Sequence, residues 1–160
     1  IISILGKPKG VFCKSVGHPL LPKMNDSRSS IIMDYNNVRC CLSLNHTHDT
    51  GRQGAKHAHA YARVEGLKGA AYVKLGLLLD YPTGEPEEIE ITSDNITWTK
   101  VKNVGTWFPD AFLHSMSSLQ RFASGEDQLL PHSVENSFIT MSVVDACISS
   151  SRGSGTIVQS

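Results

Sequence analysis

Ser30-Ile31-Ile32-Met33-Asp34-Tyr35-Asn36-Asn37-Val38-Arg39-Cys40-Cys41-Leu42 is read first, because its two halves fit each other as paired strands and as nothing else. Asn36-Asn37 is the kind of pair that accepts the positive φ of a type I′ turn. Folding the segment back across that pair sets Tyr35 opposite Val38, Met33 opposite Cys40 and Ile31 opposite Leu42 on one face. Asp34 then meets Arg39 on the other face, as cross-strand charges should. Apolar pairing and charge pairing choose the same register, so the segment is predicted to be an antiparallel hairpin of Ser30–Tyr35 and Val38 to about His48.

Further strand signals surround it. Lys9–Val16 reads as a short strand, followed by a loop from Gly17 to Ser29. His57–Glu65 turns through Gly66-Leu67-Lys68-Gly69 into Ala70–Leu75, with a glycine at each end of the turn. Glu88–Thr92 and Thr97–Val101 alternate apolar and polar residues around Ser93-Asp94-Asn95, which predicts a pair of central strands, and Thr156–Val158 is a candidate terminal strand. Helix signals fill the last third. Pro109 and Asp110 suit a helix start, Phe112, Met116, Leu119 and Phe122 recur at helical spacing, and Gly125 ends the run. That face is expected to pack on the sheet. Ser133 is the expected N-cap of a second helix with a Val134, Phe138, Met141, Ile148 stripe, closed by Arg152-Gly153. Strands followed by helices define an α+β fold: an open-faced, mainly antiparallel sheet of about six strands with helices on one face, as one domain over residues 1–160.

Composition excludes several functions. Fifteen Lys and Arg balance fifteen Asp and Glu in 160 residues, with 40% hydrophobic and 19% charged positions. A chain of this length buries roughly 70% of its unfolded surface, so it supports a core of its own. The neutral balance lacks the basic stripe that nucleic-acid binding requires. No apolar run approaches the ~20 residues of a membrane span, and the first residues lack a signal-peptide pattern, which reads as soluble and cytoplasmic. Cys13, Cys40, Cys41 and Cys147 have no CxxC spacing and read as reduced, mostly buried thiols. The opening Ile1-Ile2-Ser3-Ile4-Leu5-Gly6 has no initiator methionine and ends as a helix's last turn does, so the chain is expected to be cut from something longer.

Four motifs point further. Gly6-Lys7-Pro8 leads into a strand, Val64-Glu65-Gly66-Leu67-Lys68-Gly69-Ala70 makes a hairpin, Trp107-Phe108-Pro109-Asp110-Ala111-Phe112 opens one helix, and Ser133-Val134-Glu135-Asn136 opens the last. In that order and spacing they resemble the C-terminal domain of the glucose–fructose oxidoreductase, inositol dehydrogenase and MocA family (Gfo/Idh/MocA), over residues 1 to about 158. The resemblance implies an NAD(P)-dependent oxidoreductase in which an N-terminal Rossmann domain precedes this one. A sugar, polyol or related small molecule would bind between the two, and sheet would pair with sheet in a homodimer. The sequence has no GxGxxG, no Glu-Lys-Pro and no Asp-x-x-x-His segment, so no catalytic or cofactor-binding residue is expected within it. NAD or NADP would belong to the parent protein. Glycines at a helix N-terminus are what pyrophosphate binding needs, and the glycines here fall in turns or at helix ends.

Within the chain, His46, His48, His57 and His59 hold the most suggestive chemistry. Each pair alternates onto one strand face, and an antiparallel register setting 46 opposite 59 would gather all four. Imidazoles so gathered could hold Zn²⁺, and a free-standing, metal-loaded binding or assembly protein is the alternative function. A one-residue slip would scatter them, and Asp49 is the sole nearby carboxylate, so no metal is assigned. A middle reading makes His46, His48, Arg52 and His57, with Gln53, polar substrate contacts at a sheet margin. Trp107 and Phe108 could line a sugar-sized pocket as aromatic walls, while the favoured reading has them staple the helix entry onto the sheet. Asp110 reads as a helix-start charge and His114 as facing solvent or a partner. Cys40 sits on an apolar face with Met33 and Leu42, which disfavours a Cys–His nucleophile with His46. Glu85, Glu87, Glu88 and Glu90 read as a solvated loop and strand edge.

Overall fold

The computed structural model describes residues 1–19, 22–23, 26–45, 60–76, 86–103, 105 and 110–153. It is α+β, with open antiparallel strands in two hydrogen-bonded sets that do not close into a barrel. The chain divides into two compact units, one of Ile1–Asp49 with Pro131–Ser160 and one of Thr50–Leu130.

In the first unit a short helix α1 (Ile2–Leu5) leads into β1 (Gly10–Val16), β2 (Arg28–Asp34) and β3 (Arg39–Asn45), ordered β1-β2-β3. The expected hairpin register is present: Met33 faces Cys40, Ile31 faces Leu42 and Asp34 faces Arg39. Its turn differs from the expectation. Neither Asn36 nor Asn37 has a positive φ. The connection runs over the four residues 35–38, and a loop of that length is not held to the mirror-image turns that a two-residue loop needs. Side-chain pairing therefore sets this register without help from the turn. One face carries Val11, Cys13 and Ser15, then Ser29, Ile31 and Met33, then Cys40 and Leu42, and Met33 is buried there.

Helix α3 (Val134–Arg152) packs along β1. Ser133 caps its start, accepting from the Asn136 backbone N–H at 3.3 Å. The helix does not present the expected stripe. Val134 and Phe138 are 81% and 74% exposed, whereas Val143 is buried, with Ile139, Cys147 and Ser150 half-buried along the same line. Apolar residues are spread around α3, so periodicity does not choose a face. The choice is made by β1, an edge strand whose outward amides need partners. The backbone N–H of Cys13 donates to Ser150 Oγ at 2.9 Å and that of Ser15 to Ser151 Oγ at 2.8 Å. Alternate residues of an edge strand point their amides outward, which is why positions 13 and 15 are the pair engaged. Lys14 Nζ adds a 3.4 Å bond to the Ser151 carbonyl, placing a cation at the helix's negative end.

The second unit holds β4 (Ala60–Gly66), β5 (Gly69–Leu75), β6 (Glu88–Thr92) and β7 (Thr99–Val101), ordered β4-β5-β6-β7, and helix α2 (Asp110–Ala123). The expected final pair is therefore one inner strand, β6, and one edge strand, β7. Gly66 faces Gly69 across the two-residue turn Leu67-Lys68. Gly69 has φ 145°, and a Cβ there would collide with the Thr92 carbonyl oxygen, so this position requires glycine. Register separates the two faces cleanly. Ala62, Val64, Val73, Ile89, Ile91 and Val101 share one, while Tyr61, Arg63, Tyr72, Glu90 and Lys100 share the other. On the polar face Tyr61 and Tyr72 stack with centroids 5.9 Å apart, and Arg63 lies 5.5 Å from the Trp98 ring. In α2 the expected apolar stripe forms, but Phe112, Met116, Leu119 and Phe122 each remain 43–59% exposed. Helical spacing sets the phase of that stripe without naming what covers it.

Between β6 and β7, Asp94 organises the turn. Its carboxylate accepts from the backbone N–H groups of Ile96 and Thr97 at 2.9 and 2.8 Å and from the Thr92 hydroxyl at 2.9 Å, and Asn95 takes a left-handed φ of 59°. These donors, the Ile96 amide foremost, hold the Asp94 carboxyl well below the usual carboxylate range.

Two outcomes test this description. Replacing Ser150 and Ser151 together by Ala removes two part-buried bonds of roughly 1 kcal/mol each, so urea unfolding should lose about 2 kcal/mol. An unchanged midpoint would show that the hydroxyls do not hold α3. A carboxyl whose folded pKa is lowered stabilises above the unfolded value of about 4 and loses that contribution as pH falls below it. The stability gap between native protein and Asp94→Ala should therefore be widest near pH 7 and shrink as pH falls from about 4 toward 2; a gap independent of pH would contradict the turn's charge-assisted bonding.

Candidate functional site

The first unit contains a groove of about 580 Å³ where α1 and the residues after it meet the N-terminal turns of α3. Ile2, Ser3, Gly6 and Lys7 line one side, with Pro131, His132, Asn136, Ser137, Ile139 and Thr140 on the other. Two of the four motifs, Gly6-Lys7-Pro8 and Ser133-Val134-Glu135-Asn136, converge here from opposite ends of the chain.

Local bonding fixes both walls. Gly6 takes φ 77° to end α1, and the Tyr35 hydroxyl donates to its carbonyl at 3.0 Å. The Lys9 N–H then donates to the Asp34 carbonyl at 2.8 Å, which leads Lys7 into the β1–β2 ladder. Opposite, the Asn136 side-chain amide donates to the Pro131 carbonyl at 3.1 Å, leaving its own oxygen as an acceptor. The Thr140 hydroxyl donates to the Asn136 carbonyl at 3.2 Å and keeps its acceptor capacity. Glu135, in the first turn, has its carboxyl held below the usual range by its own backbone N–H and by the Ser133 hydroxyl. The groove thus offers an ammonium, an imidazole, hydroxyls and an amide beside the apolar side chains of Ile2 and Ile139. No carboxylate or thiol is among its lining residues, and its polar groups suit the binding of a small polar molecule.

His46, His48, Arg52, His57, His59, Trp107 and Phe108 all lie outside the described residues, as do Asp49 and Thr156–Val158. Asp110 stands in the first turn of α2 and His114 is exposed on the same helix, as expected. Cys40 is half-buried opposite Met33, and burial, then the neighbouring Cys41, pushes its thiol above the ordinary range. That is the setting of a structural cysteine. Glu88 and Glu90 face Lys74 and Tyr72 across β5–β6, and Glu88 pairs with Lys100 at 3.4 Å, so they belong to a solvated sheet. Lys7 and Asn136 escaped the functional reading because the motifs that carry them served only as markers of fold, and His132 stands just before the second of those motifs with no spacing signal of its own. Among the described residues no three His, Cys, Asp or Glu side chains gather to hold a metal, and no helix is long and apolar enough to cross a membrane.

The fold places the chain beside a class of known structures. It is similar over 94% of its length, with a TM-score of 0.62 and 11% sequence identity, to the crystal structure of a Klebsiella pneumoniae protein provisionally assigned as an oxidoreductase. The chain spans 43% of the length of that protein. No protein-family model and no curated protein matches the sequence.

If the groove binds small polyhydroxylated molecules, thermal-shift screening of sugars and polyols should find a ligand that raises the Tm of native protein. Lys7→Ala should bind that ligand roughly tenfold more weakly, the scale of one hydrogen bond to a charged group, at unchanged intrinsic stability. Equal shifts in both proteins would place the ligand elsewhere.

Proposed function

We propose that this chain is the substrate-binding and oligomerisation portion of an NAD(P)-dependent oxidoreductase of the Gfo/Idh/MocA type, acting on a sugar, polyol or related small molecule. The observation that carries the reading is the fold likeness over 94% of this chain to less than half of an oxidoreductase-assigned protein. The order of the four motifs supports it independently.

The described residues do not fit a nicotinamide dinucleotide. Gly6 and Gly125 lie past helix C-termini, Gly69 lies in a hairpin, and Gly105, ahead of α2, already has the Asp110 carboxylate packed against it. Both long helices open with a carboxylate, Asp110 and Glu135, where a pyrophosphate would need bare amides and no negative neighbour. Dinucleotide binding and hydride transfer are accordingly assigned to a Rossmann domain in the parent protein. This chain's share is shape and polar contacts: Lys7, His132 and Asn136 in the groove, together with His46, His48, Arg52, His57, Trp107 and Phe108 from the sequence reading.

The apolar face of β4–β7 is the surface offered to a second copy. Val64, Leu75, Ile91 and Val101 are 40–61% exposed there, and an apolar sheet face of this kind is stabilised by pairing with its own copy.

Titration with NADH and NADPH decides the division of labour. The 160-residue chain should bind neither, whereas the parent protein with its upstream domain should bind one of them. Tight nucleotide binding by the 160-residue chain would contradict the proposal. Sedimentation should give twice the 17.4 kDa of one chain, reduced to one chain by Val64→Lys; a native monomer at high concentration would remove the dimer from the reading.

A further inference from the structure

We propose that Cys13 and Cys147 form a redox-active thiol pair whose oxidation to an intramolecular disulfide staples α3 to β1. The backbone brings the two together. The Cys13 amide is 2.9 Å from Ser150 Oγ, and Cys147 lies three residues before Ser150, one turn away on the same face of α3. Cys147 shares the inward line of α3 with buried Val143 and half-buried Ser150, and both cysteines keep partial exposure, so an oxidant can reach them.

The two thiols are unequal. Cys147 is pushed above the ordinary thiol range, first by burial and then by charge on Cys13. Cys13 has the Ser15 hydroxyl 3.6 Å from its sulfur, and Ser15 Oγ is in turn 2.7 Å from Ser29 Oγ, so a short hydroxyl chain stands beside this sulfur. Cys13 is therefore the attacking thiol and Cys147 the resolving one. The oxidant is a low-molecular-weight disulfide. Cys13 thiolate attacks one of its sulfurs, forming a mixed disulfide and expelling one thiolate. Cys147 then gives up its proton and attacks the Cys13 sulfur, expelling the second thiolate. Two protein thiols are oxidised, one small disulfide is reduced to two thiols, and the protons leave on those products. Cys40 and Cys41 do not compete: as neighbours in β3 they project to opposite faces.

Oxidised glutathione is the probe, applied to native protein and to Cys147→Ser. Peptide mapping of native protein should show residues 13 and 147 joined within one chain, with loss of two of the four thiols. Cys147→Ser should instead accumulate glutathione on Cys13. Native protein that gains glutathione on Cys41 while Cys13 and Cys147 remain as thiols would overturn the proposal, as would a link from Cys13 to Cys147 formed only between chains. Because the native protein is itself mapped, a variant that failed to fold would not decide the outcome.

Discussion

Two serine hydroxyls satisfying two edge-strand amides is the constraint on which the first unit depends. An edge strand leaves every second N–H and C=O without a ladder partner, and such groups seek any donor or acceptor within reach. Ser150 and Ser151 come from the far end of the chain to fill that role on β1. Their bonds fix the rotation of α3 about its axis and bury Val143. They also set where the N-terminal turns of the same helix lie, and so where the groove's second wall stands. A change at residue 150 is thus a change at one end of a rigid rod whose other end carries Asn136 and His132.

The groove's chemistry follows from how it is built. Its walls are a helix C-terminus ended by a left-handed glycine and a helix N-terminus closed by its own serine and glutamate. Both are spent on their own backbones, which leaves side-chain donors and acceptors to meet a ligand. Such a surface selects by hydrogen-bond pattern. The thiol pair farther along α3 gives this helix a second property, since a disulfide there would fix the element that positions the groove.

Much of the fold was legible in the sequence, and the reasons differ by element. The β2–β3 register could be read because Met33–Cys40, Ile31–Leu42 and Asp34–Arg39 agree, and one slip would break all three at once. The β4–β5 turn could be read because Gly66 and Gly69 bracket it. The turn conformation at Asn36-Asn37 could not, since asparagine tolerates a positive φ without requiring it. The buried face of α3 was illegible because serine in a helix normally reads as solvent-facing, and only the edge amides of β1 give Ser150 and Ser151 a reason to turn inward. At the site, the histidine spacing drew attention to residues 46–59, which lie outside the described residues, while Lys7 and Asn136 carried their signal as fold motifs.

Amide hydrogen exchange at Cys13 and Ser15 tests the closing interaction most directly. Protection at both amides in native protein, lost in the Ser150→Ala, Ser151→Ala variant while the β2 amides stay protected, is the result this account predicts. Exchange of Cys13 and Ser15 at the rate of an open edge in native protein would contradict it, and with it the placement of α3 and of the groove.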